Sequence, residues 1–112
     1  MRVKLVTEAM RKTIPGQYEQ DGLGDEQIVW AVFFTPDSNW TWYVCEMWEE
    51  EGETFFAGLV DGHEVEFGLW CLSEMERARG PMGLPIERDR FWVPVSLGSV
   101  KRTLAKSGRL VV

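Results

Sequence analysis

Apolar residues along this chain gather in four short runs separated by polar, turn-forming clusters. The runs are Ile28–Thr35 (IVWAVFFT), Trp40–Trp48 (WTWYVCEMW), Thr54–Val60 (TFFAGLV) and Glu64–Cys71 (EVEFGLWC). All four are rich in aromatic and β-branched side chains, which favour a pleated, packed surface, so each predicts a strand. Pro36-Asp37-Ser38-Asn39, Glu51-Gly52 and Asp61-Gly62 carry turn chemistry between them. Connections this short force neighbouring strands to run antiparallel, which gives a meander.

Asp61-Gly62 has the composition of a two-residue type I′ hairpin loop. That turn would pair Val60 with His63, Ala57 with Glu66, Phe56 with Phe67 and Phe55 with Gly68. One face would carry Phe56, Gly58, Val60, His63, Val65 and Phe67; the other would carry Phe55, Ala57, Leu59, Glu64, Glu66, Gly68 and Trp70. In the second run, alternation puts Trp40, Trp42, Val44 and Trp48 on one face and Tyr43, Cys45 and Met47 on the other. Runs apolar on both faces need cover on both sides, supplied by helices or by a partner.

Three short helices are expected around this sheet. Residues 7–14 read as one, with Thr7 as N-cap, Glu8 in the first turn, Arg11 and Lys12 in the last, and Pro15-Gly16 as the stop. Residues 16–27 form a polar, glycine-rich loop. Ser73-Glu74-Met75-Glu76 matches a capping box and predicts a helix from Glu74 to Arg79. Ile86–Arg90 and Phe91–Val95 lead to an edge strand, demoted by Pro94. Ser96 caps a basic helix over 97–107, with Leu97, Val100 and Leu104 inward and Gly108 as its stop. The fold class is therefore α+β: a four- to five-stranded, mainly antiparallel meander sheet with short flanking helices, in a single domain over residues 1–112.

Composition agrees with a packed core. Six Trp and six Phe in 112 residues supply large buried areas, unlike a disordered acidic tail. No apolar run approaches the roughly 20 residues of a membrane span, and residues 1–6 lack the apolar core of a signal peptide. The expected location is the cytoplasm, without membrane contact. Cys45 and Cys71 then read as free, buried thiols.

Charge changes the picture more. From Thr13 to Glu76 there are 64 residues with no Lys or Arg and 15 carboxylates, while the flanks are net basic and the whole chain carries −6. A single-sign block sets up a directional field that selects partners of opposite charge. Part of that field is expected to be cancelled by Arg77, Arg79, Arg88 and Arg90. Glu87-Arg88-Asp89-Arg90 reads as a salt-bridge cluster in which the arginines answer the acidic block. The basic residues of the last helix, Lys101, Arg102, Lys106 and Arg109, are expected on a solvated face or paired with the sheet. The acidic remainder of the chain disfavours direct nucleic-acid binding.

Catalytic chemistry has few candidates. His63 is the one histidine, so imidazole clusters for zinc are excluded and a nucleophilic triad has no supporting motif. Glu64 and Glu66, with Glu46 and Asp61 or Glu87/Asp89, are the carboxylates that would have to converge to hold Mg²⁺ or Mn²⁺. Asp37 and Glu46-Met47-Trp48 have the nearest nuclease-like spacing, but Trp48 stands where a lysine is wanted. Gly22-Leu23-Gly24 lacks the context of a nucleotide-binding loop.

Four separated blocks, Phe33–Trp42 (FFTPDSNWTW), Phe55–Phe67 (FFAGLVDGHEVEF), Leu72–Glu76 (LSEME) and Arg79–Asp89 (RGPMGLPIERD), occur in an order that resembles the bacterial family known as domain of unknown function 2958. The resemblance covers about residues 14–92 and stops short of the basic tail after Ser96. Its blocks point at Trp40, Trp42, Asp61, Gly62, Glu66, Glu87, Arg88 and Asp89, without catalytic roles to carry over. It implies a product of plasmids, phages or integrated elements. With the acidic block, that company implies a non-enzymatic anti-defence inhibitor, of anti-CRISPR or anti-restriction type, docking a carboxylate-rich sheet surface on a basic protein. Glu49, Glu50, Glu51, Glu53, Glu64 and Glu66 are the expected partner-binding residues, with no cofactor. The alternatives are a metal-dependent single-stranded-DNA endonuclease, which alone would need Mg²⁺ or Mn²⁺, and a plasmid-maintenance adaptor.

Overall fold

The first apolar run divides into two strands in a computed structural model, which describes residues 4–110 and leaves Arg2 outside. Strands β1 (Ile28–Val29) and β2 (Ala31–Phe34) flank Trp30, whose backbone N–H reaches the Val44 carbonyl at 2.8 Å. They are followed by β3 (Thr41–Glu50), β4 (Glu53–Asp61) and β5 (Val65–Cys71), then by the two-residue strands β6 (Glu87–Arg88) and β7 (Val95–Ser96). The main sheet has the order β5-β4-β3-β2-β6, with every pair antiparallel; β1 and β7 form a separate ribbon. The predicted α+β class holds, and the segment expected to lead to an edge strand supplies two: Glu87–Arg88 at the edge of the main sheet and Val95–Ser96, just after Pro94, in the ribbon.

Helix α1 (Glu8–Thr13) is capped by the Thr7 side chain, which accepts from the Met10 N–H. Helix α3 (Leu97–Lys106) is capped by Ser96, which accepts from the Ser99 N–H, and Gly108 follows it at φ 81°. Both match the sequence reading. Helix α2 (Leu72–Arg77) does not. It begins two residues early, with Cys71 as N-cap, and Ser73 sits inside it, its hydroxyl donating to the Glu53 carboxylate. The acidic partner across the sheet outcompetes the local capping box.

The Asp61-Gly62 hairpin also differs from expectation. Asp61 pairs with Val65, Leu59 with Phe67 and Phe56 with Trp70. The register is displaced by three residues, an odd number, so the faces of β5 are exchanged relative to the type I′ prediction. Asp61 is a strand residue, and Gly62 lies outside the left-handed region the turn needs. Three things hold this register: Asp61 is engaged by Arg109, the Trp40 ring lies over Gly62, and Trp70 stacks on Phe56 with centroids 5.5 Å apart. The two-residue turn is at Glu51-Gly52 instead, where φ is 48° and 82° and Glu50 faces Glu53.

A bulge in β3 between Val44 and Glu46 breaks the expected alternation. Cys45 is the extra residue. Met47 therefore joins Val44 on one face, and Trp48 moves to the other beside Phe55. Gln20 repairs the bulge: its side-chain amide donates to the carbonyls of Cys45 and Ile28 and accepts from the Ile28 N–H.

Both faces of the sheet are covered, as two-sided apolar strands require. On one face, Leu5, Ile14, Met75 and Ile86 close over Ala31, Phe33, Val44, Met47 and Phe56. On the other, Leu97, Val100 and Leu104 of α3 close over Val29, Val32, Cys45 and Leu59. The second cover is incomplete: it reaches Val65 at the start of β5 but not the rest of that strand, where Phe67 is 49% and Leu69 67% exposed.

Candidate surface for partner docking

The carboxylates named from the sequence separate into two sets. At one end of the sheet, Glu49, Glu50, Glu51 and Glu53 surround the β3–β4 turn. At the other, Glu64 precedes β5 and Glu66 pairs with Val60. Because β5 runs antiparallel to β4, the two sets lie at opposite ends of the β5 edge. Residues Phe55 to Val60 span the interval, six strand residues whose five steps cover about 17 Å.

These six side chains differ in what already holds them. Glu49 is ion-paired to Arg11 at 2.6 Å. Glu53 accepts from Ser73 Oγ and from its neighbour's backbone, Thr54 N–H; the Ser73 hydroxyl, first, and Cys71 next hold its carboxyl below the usual range. Glu50 accepts from Trp48 Nε1 at 3.1 Å and is otherwise open to solvent. Glu51, Glu64 and Glu66 are exposed and have no ion pair among the described residues.

Among the described residues, the ion pairs to the acidic block come from the chain's ends and not from residues 77–90. Arg11 pairs with Glu49, Lys101 with Asp25 and Arg109 with Asp61. Arg79 instead caps the carbonyls of Glu76 and Ala78, Arg88 donates to the Lys4 carbonyl, and Arg90 lies over the Phe91 ring. Among the described residues the expected Glu87–Arg90 salt-bridge cluster does not form: Glu87 and Arg88 make an edge strand, whose alternation points them to opposite faces, and Asp89 accepts from the Phe91 N–H.

The carboxylates considered for a metal do not converge. Glu46 is buried on the face of Ala57, where it accepts from the backbone N–H groups of Tyr18 and Gln20 at 3.0 and 2.8 Å. Glu66 lies on the opposite face, beside Val60. Asp37 accepts from the backbone of Met82 and Leu84, packed where a Cβ on Gly80 would collide with it. Among the described residues no group of three or more His, Cys, Asp or Glu side chains is placed to hold a metal ion.

Several residues of the resemblance blocks meet at one corner. Trp40 stacks on Trp42 at 5.9 Å and meets His63 edge-on at 5.2 Å. A Cβ on Gly62 would fall 2.3 Å from the Trp40 ring, so glycine is required there for packing. Arg109 grips Asp61 through Nε and Nη2 at 3.0 and 2.5 Å and reaches the Gly62 carbonyl at 2.8 Å. The Asp61 carboxylate raises the Arg109 pKa, by hydrogen bonding first and then by charge, which keeps this end of the sheet clamped to the tail. Beside the clamp a depression of about 500 Å³ is lined by Ser38, Asn39 and Trp40 among others. The His63 imidazole in this corner is held against the Trp40 ring, a packing role.

Sequence reasoning missed the apolar half of the surface. Trp48 and Phe55 stack at 6.1 Å, and Phe67 and Leu69 stand next to them with Tyr18. Trp48, Phe67, Leu69 and Tyr18, with Glu46 and Ala57, line a depression of about 190 Å³, and Tyr18 is 70% exposed. Tyr18 occupies the left-handed region at φ 69°, held there by its N–H bond to Glu46. The shifted register is what turns Phe67 and Leu69 to this side, so the wrong turn assignment hid them.

A family model described as a protein of unknown function (DUF2958) matches residues 5–111, and the chain belongs to that family. The match runs through α3 and the basic tail, which the sequence reading had placed outside the family-like segment 14–92. No curated protein and no solved structure matches the chain. No described helix is long and apolar enough to cross a membrane.

Proposed function

We propose that this DUF2958 chain is a non-enzymatic acidic binding protein of a mobile genetic element, an anti-defence inhibitor that docks its carboxylate-bearing sheet edge on a basic protein partner. The observation that carries the reading is the distribution of ion pairs. Arg11, Lys101 and Arg109 neutralise Glu49, Asp25 and Asp61, and Glu50, Glu51, Glu64 and Glu66 stay exposed without one among the described residues. Fixed carboxylates on a rigid sheet compete for Lys and Arg sites that otherwise hold phosphates, and they accelerate encounter with them. The mobile-element and anti-defence setting rests on the family's company with plasmid and phage genes, and the intended target on charge.

The test is binding to purified nucleic-acid-binding defence complexes at low and high salt. Wild type should bind with a marked loss of affinity as salt rises. Joint reversal of Glu50, Glu51, Glu64 and Glu66 to Lys should cost at least about tenfold. Binding that is salt-insensitive and unchanged by the reversal would refute the proposal.

A further inference from the structure

We propose that β5 is an augmentation edge: it accepts an extended segment of the protein partner, with apolar residues at alternate positions and Lys or Arg between them. This inference rests on the docking reading above and specifies how the partner is held.

Four observations converge on it. First, β5 is seven residues long, lies at the end of the sheet order and has β4 as its one strand partner among the described residues. An edge of that length presents unpaired N–H and C=O groups, a template for one more strand. Second, its α3-side residues Phe67 and Leu69 are 49% and 67% exposed, beside Tyr18 and the stacked Trp48–Phe55 pair. An added strand would set apolar side chains against them.

Third, Gly68 has no reason inside the chain. Its φ is not in the left-handed region, a Cβ there would meet nothing within 4 Å, and the β4–β5 ladder runs through it without a bulge. A strand glycine that serves neither conformation nor a bulge marks a close approach of another backbone. Fourth, charge names the occupant. The face opposite Phe67 and Leu69 carries Glu66 and Trp70, Glu64 precedes the strand, and Glu74 follows it. Basic side chains at the alternate positions of an incoming strand would meet Glu66 and the Trp70 ring. A second copy of this chain would bring Glu64, Glu66 and Glu74 to an edge already bearing them.

The probe is an acetylated, amidated Lys-Val alternating heptapeptide, with the Glu-Val analogue as control, added to the full chain. Backbone hydrogen exchange is followed by mass spectrometry or NMR. The Lys-Val peptide should slow exchange of outward-facing amides within Val65–Cys71 by at least about tenfold. The Glu-Val peptide should not. Leu69→Lys, at an exposed position that leaves the fold intact by circular dichroism, should weaken peptide binding at least about tenfold.

Protection confined to the Glu49–Glu53 turn, with β5 unchanged, would overturn the edge and leave acidic docking standing. Equal binding of both peptides would overturn the charge argument. No binding by either peptide would overturn the edge assignment. Protection of β5 that grows with protein concentration and needs no peptide would give the edge to a second copy, with sedimentation reporting the dimer. Loss of salt-sensitive binding to every basic target is the separate failure that removes the docking reading itself.

Discussion

The two halves of one sheet face have opposite fates. Toward β2, the face is sealed by α3: Leu97, Val100 and Leu104 press on Val32, Cys45 and Leu59, each 6% exposed or less. Toward β5, the same face ends in Phe67 and Leu69, half or more in water. Both halves are apolar, so composition does not separate them. What separates them is reach. Helix α3 is ten residues, about 15 Å, and it is tied down by Lys101–Asp25 within it and by Arg109–Asp61 just past its end. Both ties hold it over β1–β4 and the Val65 end of β5, short of Phe67 and Leu69.

That contrast can be broken most directly by truncating one side chain in each half. Leu97→Ala, at 2% exposure, should destabilise the fold by about 2–5 kcal/mol in urea denaturation. Leu69→Ala should change stability by no more than about 0.5 kcal/mol. Similar costs at both positions would mean that the β5 half is covered in solution.

The loop that borders the open half supplies the next largest effect. Gln20 is 5% exposed and its side chain satisfies Cys45 O, Ile28 O and Ile28 N–H. Gln20→Ala should cost about 1–3 kcal/mol by stranding those groups. Tyr18 should keep its left-handed setting, since Glu46 anchors both residues through backbone N–H groups that the substitution retains. The measurement is thermal unfolding together with exchange of the Tyr18 and Gln20 amides. A stable variant with unchanged exchange would show that water replaces the glutamine.

The two cysteines report the same division. Burial, then the nearby Glu46, pushes the Cys45 thiol up to about 12. Cys71, at the end of β5, is raised chiefly by its hydrogen bond to Glu74. An unfolded thiol ionises near pH 8.5. Cys45 therefore favours the fold fully below that value, and its contribution falls as pH climbs from there to about 12, by about 1.4 kcal/mol per unit at most. Cys45→Ala should flatten that part of the alkaline stability curve. In the native state at pH 8, iodoacetamide should label Cys71 and spare Cys45; the reverse order would place the helix cover elsewhere.

Much of this contrast was legible before the structure, and the illegible part has one cause. Strand positions, the Thr7 and Ser96 caps and the inward Leu97, Val100 and Leu104 follow from local pattern and were read correctly. Face assignment on β5 failed because it depends on register, and register here is held by groups far away in sequence. Arg109, 48 residues from Asp61, keeps that aspartate in the strand. The β3 bulge is likewise repaired by Gln20, 25 residues from Cys45. Local turn chemistry at Asp61-Gly62 and capping chemistry at Ser73 were both overruled by partners across the sheet. The acidic residues were visible as a block, but a count of charges does not show that Glu53 is already engaged or that Glu51 and Glu66 lie at opposite ends.

The smallest expected effect bears most closely on the open half. Glycine inside a strand is less favourable than a β-branched residue, since it loses more backbone entropy on folding and packs no side chain. Gly58, its cross-strand partner, has a local justification: a Cβ there would fall 1.9 Å from the Tyr43 carbonyl oxygen. Gly68 has none, because the space above it is empty. Gly68→Thr should therefore stabilise the isolated chain by about 0.5–1 kcal/mol in urea denaturation. The same change should weaken the Lys-Val peptide, whose lysine side chains would meet the new side chain on the face of Glu66 and Trp70. Gly58→Thr should destabilise without a matching effect on the peptide beyond that of unfolding. If Gly68→Thr destabilised the chain instead, the glycine would belong to the fold and the open half would lose its strongest mark of a missing strand.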